Sequence, residues 1–264
     1  MNKWIAKSLE LAQKKDYLDR LQNIYKLPRN ESREIESGIW EQVEEAYHNK
    51  KSAKLIKILL ELELFPIKHS FVAYFRRDLG SIERNPETVE QIADSIYAID
   101  IDELRKKCEE PKETNRQMGP LFKNFLMSED FGIEKMLLNQ FKSTKNDSIL
   151  IASDAESKDF ATQYLGYERN KGLDIIFRIN GEYTIGEAKF LTDFGGHQNA
   201  QLDDAISTLN SNVKNCEKIL ILDGVLFIAN SGKMYQTLTT KYKNENIISS
   251  VLLKEFISEK IGAP

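Results

Sequence analysis

The chain of 264 residues carries 37 Lys and Arg against 41 Asp and Glu, a net charge of −4, with 41% hydrophobic and 30% charged residues. That length supports a sizeable core, the composition excludes intrinsic disorder, and neither half has the basic excess that would hold nucleic acid by bulk charge. Two cysteines and three histidines exclude a disulfide framework and a Cys/His zinc site.

In chain order, the first hundred residues read as helices. Trp4, Leu9, Tyr17, Leu18, Leu21 and Tyr25 recur near the 3.6 period until Pro28. Helices follow over residues 34–48, 52–64 (closed by Pro66) and 71–79 (stopped by Gly80). Asn85-Pro86-Glu87 has the chemistry of a helix start, leading into Ile92, Ile96 and Tyr97. Residues 105–116 are charged and poor in apolar side chains, which predicts a linker. The N-terminus lacks the apolar core of a signal peptide, and the longest apolar stretch, residues 55–65, is broken by Lys57, Glu61 and Glu63. The sequence therefore predicts no membrane span and a cytoplasmic setting.

The pattern changes after Gly119. Leu121, Phe122, Phe125 and Leu126 begin a helix, which Ile133, Met136, Leu137 and Phe141 continue or restart. Residues 148–152 form a short buried-strand candidate. Residues 173–179 and 183–190 are strand-like runs joined through Asn180-Gly181, a pair that tolerates positive φ at both turn positions. A helix over 200–213 and strand sequence over 218–229 complete an α/β (α+β) reading: a mixed central sheet flanked by helices. The predicted division is 1–115, a helical region, and 116–264, the sheet-bearing domain.

The chemistry concentrates in Gly172-Leu-Asp174 and Glu187-Ala-Lys189. Folding the hairpin at Asn180-Gly181 returns Asp174 and Glu187 to the same end of the sheet, and Glu187 and Lys189, two apart, share a strand face. Two carboxylates and an ammonium suit a hard divalent cation such as Mg²⁺, which takes oxygen ligands and keeps waters. A Glu-x-Lys pair also fits an ordinary solvated strand, but the flanks here are apolar (Ile175, Ile176, Phe177; Ile185, Ala188, Phe190). Acids buried among such residues cost several kcal/mol unless paired or metal-bound.

Asp174, the hairpin, Glu187-Ala-Lys189 and the following helix resemble the active-site core of the PD-(D/E)xK nuclease superfamily, most closely type II restriction endonucleases. The resemblance spans roughly residues 119–230, and Leu173 stands where the motif often has proline. It implies a restriction-endonuclease-like core and Mg²⁺ held by Asp174, Glu187 and the Ala188 carbonyl. Lys189 would act on the hydrolytic water, and cleavage would leave 5′-phosphate and 3′-hydroxyl ends. It further implies an acid from an upstream helix, for which Glu134 is the candidate with Glu129 behind it.

Within the second domain, DNA contacts are expected from three places. Residues 192–201 follow the presumed catalytic strand and offer His197, Gln198, Asn199 and Gln201, groups that suit base edges but also suit a polar loop and helix start, with Asn199 as the cap. Arg116 and Gln117 precede a helix N-terminus, and Arg169 and Lys171 form a basic loop before Asp174. In the helical half, Lys50, Lys51, Lys54, Lys57, Arg76 and Arg77 fit either a phosphate stripe or a solvated charged face, and residues 66–97 fit either a helix-turn-helix-like unit or a plain helical bundle. The chain has no phosphate-loop or methyltransferase signature. The expectation is a Mg²⁺-dependent, sequence-specific double-strand DNA endonuclease acting as a homodimer in a bacterial or archaeal cell, beside a separate cognate methyltransferase. A structure-specific repair nuclease or junction resolvase, and a non-catalytic DNA-binding protein of the same fold, are the alternatives.

Overall fold

The computed structural model describes residues 1–26, 32–111, 117–229 and 232–262. The chain opens with α1 (Lys3–Leu11) and α2 (Tyr17–Ile24). Six helices follow: α3 (Ser37–His48), α4 (Ser52–Glu61), α5 (Val72–Arg77), α6 (Ser81–Arg84), α7 (Pro86–Tyr97) and α8 (Ile101–Cys108). Strands and helices then mix as α9 (Met118–Ser128), β1 (Glu134–Leu137), α10 (Leu138–Ser143), β2 (Ser148–Ile151), α11 (Asp154–Leu165), β3 (Ile175–Ile179) and β4 (Glu182–Leu191). The remainder is α12 (Gly196–Leu209), β5 (Cys216–Gly224), α13 (Lys233–Gln236), β6 (Ile247–Ile248) and α14 (Leu253–Ile261).

Two compact units result: Pro28–Lys112, and Met1–Leu27 together with Glu113–Pro264. A single boundary at 115/116 groups α1 and α2 with the other helices, whereas here they belong to the sheet-bearing unit. Their apolar stripes explain this, since Trp4, Leu11, Tyr17, Leu21 and Ile24 enter the same core as Phe122, Phe177 and Phe256. They are also two helices, not one run, because residues 12–16 break the pattern with Lys14, Lys15 and Asp16.

The sheet of this unit has the order β1-β2-β3-β4-β5-β6. β3 is antiparallel to β2 and to β4, and the remaining pairs are parallel, so the mixed α/β architecture is as expected. β3 is buried along its whole length, with Phe177 on one face and Ile176 on the other, where it meets Phe141, Phe160 and Ile185. Arg178 is the exception in composition. Its buried guanidinium donates to the Asn146 carbonyl at 2.9 and 3.1 Å and to the Phe141 carbonyl at 3.1 Å, which offsets its desolvation.

Two local readings change, and one segment left unread gains a helix. The apolar spacing at 133–141 suits a helix, but Glu134–Leu137 is a strand paired in parallel with β2, and only Leu138–Ser143 is helical. The segment 154–165 is a helix, opened by a capping box in which the Ser153 hydroxyl and the Glu156 carboxylate satisfy each other's backbone. Residues 101–108, partly within the expected linker, form α8 because Leu104 and Cys108 are fully buried.

The helical unit packs α3, α4, α5, α7 and α8 around Trp40, Leu55, Leu59, Phe75, Ile92 and Ile96. Pro86 occupies the first turn of α7, where its missing N–H costs nothing. Among the described residues, no helix is long and apolar enough to cross a membrane.

Candidate active site

The β3–β4 hairpin turns at Asn180 and Gly181, whose φ of 53° and 79° fit a two-residue hairpin turn and account for this dipeptide. Register follows from the turn. Ile175 lies opposite Gly186, and the Asp174 amide donates to the Gly186 carbonyl at 3.1 Å, so Asp174 faces Glu187 across the pair. Directly opposed residues of an antiparallel pair share a face, as do Glu187 and Lys189 along β4. Asp174, Glu187 and Lys189 therefore stand on one face, while Ala188 and Phe190 point into the core on the other.

Asp174 is reached through Gly172. A Cβ at that residue would sit 2.6 Å from the Asp154 Cα, so only glycine lets the segment pass against the start of α11. The Leu173 amide is then tied to the Ser157 hydroxyl at 3.0 Å. These contacts fix where Lys171 and Asp174 project.

Glu187 is 1% exposed. Its Oε1 accepts from Lys189 Nζ at 2.5 Å and from Lys171 Nζ. Lys171 also donates to Asp204 of α12, and Asp204 accepts from Arg169 Nη2 at 2.8 Å. Arg169 is secured further by the Thr208 hydroxyl at 2.6 Å. The result is a chain of alternating charge from Lys189 through Glu187, Lys171 and Asp204 to Arg169. Burial acts to lower the Lys171 pKa, but its bonds to Asp204 and Glu187 outweigh this and hold it above the ordinary lysine value. Burial acts to raise Asp204, yet Lys171 and Arg169 keep it below the ordinary carboxylate range.

Asp174 behaves oppositely. Burial, then the facing Glu187 charge, push it up to about 6, against the Ala188 N–H that its Oδ2 accepts at 2.9 Å. Glu187 Oε2 is buried without a hydrogen-bond partner. A hard cation would relieve both conditions, because it ligates carboxylate oxygen and cancels the repulsion between the two acids. Asp174, Glu187 and the Ala188 carbonyl thus form a donor set of the right chemistry. Among the described residues, no group of three or more His, Cys, Asp or Glu side chains is arranged to hold a metal, so any cation here relies on backbone or water oxygen for the rest of its shell.

A cavity of about 300 Å³ opens beside these groups, bounded by Asp174, Lys189, Gln201, Asp204 and Tyr25 among others. Its aromatic wall is held from behind. Tyr25 packs edge-on against Phe190 at 5.1 Å, and its hydroxyl donates to Asp223 Oδ2 at 2.8 Å. Asp223 is fully buried. Desolvation pushes it up to about 6 despite bonds from Ser249 (2.6 Å), Ser250 and Tyr25.

The other candidates fall in different places. Glu134 begins a strand, not a helix, and the register sets it at the opposite end of the sheet from Asp174: it pairs with Ser148, which pairs with Arg178 near the turn. Glu129 is spent on Lys254 at 2.7 Å. Neither borders the cavity. The helix expected from residue 200 begins at Gly196, which puts His197, Gln198 and Asn199 in its first turn with Gly195, not Asn199, at the cap. Gln198 accepts from the Thr192 amide at 3.2 Å, Asn199 donates to the Phe194 carbonyl at 3.1 Å, and His197 is exposed beside Gln201. Arg169 and Lys171 are engaged within the charge chain. Gln117 occupies the N-cap position of α9, and Arg116 lies outside the described residues. Asp204 and Tyr25 escaped sequence reading. Asp204 has the i+3 relation to Gln201 that would have set both on one helix face, but Tyr25 left no signal.

The family model described as Tsp45I type II restriction enzyme matches residues 2–260. No curated protein and no solved structure matches the chain.

Proposed function

The chain belongs to the Tsp45I type II restriction enzyme family, and from that premise we propose that it is a Mg²⁺-dependent, sequence-specific double-strand DNA endonuclease using PD-(D/E)xK chemistry. One observation carries the reading: Asp174 and Glu187 face each other across the β3–β4 pair with Lys189 on the same face, beside an open cavity.

In this reading Asp174, Glu187 and the Ala188 carbonyl would hold the cation. When bound, it polarises the scissile phosphodiester and lowers the pKa of an attacking water. Lys189 directs its ammonium at that water or at the charge developing on the phosphoryl oxygens. Attack of the water oxygen on phosphorus opposite O3′ forms the new P–O bond as P–O3′ breaks. The water gives up a proton to solvent and the departing O3′ takes one from solvent, which leaves 5′-phosphate and 3′-hydroxyl ends. Asp204 keeps Lys171 and Arg169 in place, so those two cations act through the field they set up and not as direct DNA contacts. Gln201, on the cavity wall, and His197, exposed one turn before it, are the α12 residues we assign to DNA. A homodimer would match a two-fold recognition site and supply one active site per strand. A separate methyltransferase would protect host DNA in the same bacterial or archaeal cytoplasm.

The test is incubation of the purified protein with unmethylated phage DNA and Mg²⁺, followed by electrophoresis and end analysis. Discrete fragments with 5′-phosphate ends support the proposal. Cutting confined to branched DNA would indicate a junction resolvase instead. Intact DNA of every kind would refute the enzymatic reading.

A further inference from the structure

We propose that the outward face of α5 and the turn before it, carrying Ser70, Ala73, Tyr74 and Arg77, is a contact surface for duplex DNA. This rests on the endonuclease reading, and it assigns the helical unit a share of substrate recognition.

The unit spanning 28–112 is acidic, with 14 basic and 18 acidic residues, yet residues 64–77 contain Lys68, Arg76 and Arg77 and no acid at all. Several basic side chains of this unit are neutralised at close range, and Lys68 is also engaged. Lys51 and Lys54 both bind Glu45 at 2.8 and 2.7 Å, Lys57 binds Glu83, and Arg84 binds Asp78. Lys50 lies over the Tyr97 ring at 3.8 Å. Those pairings leave little of the lysine stripe at 50–57 to meet phosphate. Arg76 instead spends its guanidinium on the Leu62 and Glu63 carbonyls at 3.0 and 3.5 Å, which leaves its charge uncompensated. Arg77 is exposed and has no hydrogen bond or ion pair among the described residues.

The helix turns these groups outward for a simple reason. Val72 and Phe75 are buried, so residues 70, 73, 74 and 77 fall on the opposite arc at 100° per residue. Tyr74 is 60% exposed and Phe71, at the margin of the arc, 53%. Phe71 is braced by the His69 ring at 5.4 Å, and the His69 Nδ1 accepts from the Phe71 amide at 3.3 Å. An exposed ring with a polar tip, an uncommitted arginine and two small residues that permit close approach form a face suited to a polyanion with readable edges. A second copy of the chain fits worse, since an isologous contact here would set Arg77 against its own equivalent while the adjacent acid, Asp78, is already paired with Arg84.

The test measures binding of a short fluorescein-labelled duplex of mixed sequence by anisotropy, with Ca²⁺ replacing Mg²⁺, over a series of salt concentrations. Arg77→Ala is expected to flatten the plot of log K against log salt by about one unit, and with Tyr74→Ala to weaken binding roughly tenfold. Lys51→Ala is expected to leave the slope unchanged. Both α5 side chains are exposed, so the variants should melt with wild-type Tm and elute at wild-type volume. Wild-type binding with an unchanged slope in Arg77→Ala would overturn this surface alone, as would a shift in elution volume, which would mark a contact between copies. Absence of wild-type binding would overturn the endonuclease reading with it.

Discussion

Replacing Asp174 with asparagine should make the metal-free protein more stable while abolishing cleavage. In the folded chain, burial and the facing Glu187 raise Asp174 from its ordinary 3.8 to about 6. A proton is therefore held more tightly by the folded than by the unfolded state. That contribution is fully present below about pH 4 and is lost as pH rises through about 6. A difference of this size between the folded and unfolded pKa amounts to about 3 kcal/mol above pH 6, where the ionised side chain sits against Glu187. The amide of Asp174→Asn carries no charge and still offers an oxygen to the Ala188 N–H, so it removes this cost. For a unit of this size the gain is roughly 6–12 °C in Tm. Calorimetry in EDTA at pH 5 and pH 8 reads it directly: the wild type should lose more stability between the two pH values than the variant. Asp223, which is also raised to about 6, contributes equally to both proteins and cancels in the difference. Added Mg²⁺ should then raise the Tm of the wild type and not that of Asp174→Asn. A variant that is no more stable than wild type at pH 8, with the same dependence on pH, would refute the reasoning.

Three further outcomes are expected. Lys189→Met should reduce cleavage of phage DNA by about a thousandfold or more while anisotropy still reports binding, as for loss of a group acting at the reacting atoms; equal loss of binding and cutting would assign Lys189 to DNA affinity alone. Asp204→Asn frees Lys171 and weakens the hold on Arg169, and should lower kcat by roughly tenfold to a hundredfold through misplacement of the charge chain. Its KM should be little affected, and Asp204→Glu should restore part of the loss, so an unchanged kcat would remove Asp204 from the site. Gly172→Ala drives a methyl group into the Asp154 backbone and should cost about 1–3 kcal/mol in urea unfolding together with most of the activity; wild-type stability would show that the loop yields freely.

Much of the site was legible because its determinants are local. Asn180-Gly181 specifies a two-residue turn, period-2 geometry follows from the strand itself, and together they set Asp174 opposite Glu187 and Lys189 beside it. Family-scale function followed from the same few residues. What failed depended on partners distant in sequence. Ile133, Met136, Leu137 and Phe141 have helical spacing, yet β2 was available to pair with 134–137, and four residues are too few for periodicity to separate strand from helix. Glu134 was misplaced with them. Residues 105–108 fell inside the expected linker because Cys108 is their only apolar side chain, but Leu104 and Cys108, one turn apart, both reach the core and carry the helix through.

Asp203 and Asp204 are adjacent acids, and the spacing from Gln201 favours the second without saying what it meets. The first is exposed, and the second, at the margin of the face that α12 buries through Leu202, Ala205, Ile206 and Leu209, pairs with Arg169 and Lys171. In the same way α1 and α2 have ordinary amphipathic stripes, and nothing in them says which core they enter. A stripe encodes that a face is buried, not what it is buried against. The sequence by itself thus determined the hairpin, the paired acids and the lysine. Only tertiary structure decided which distant charges hold them in place, because packing partners and register across the sheet are set by the whole core.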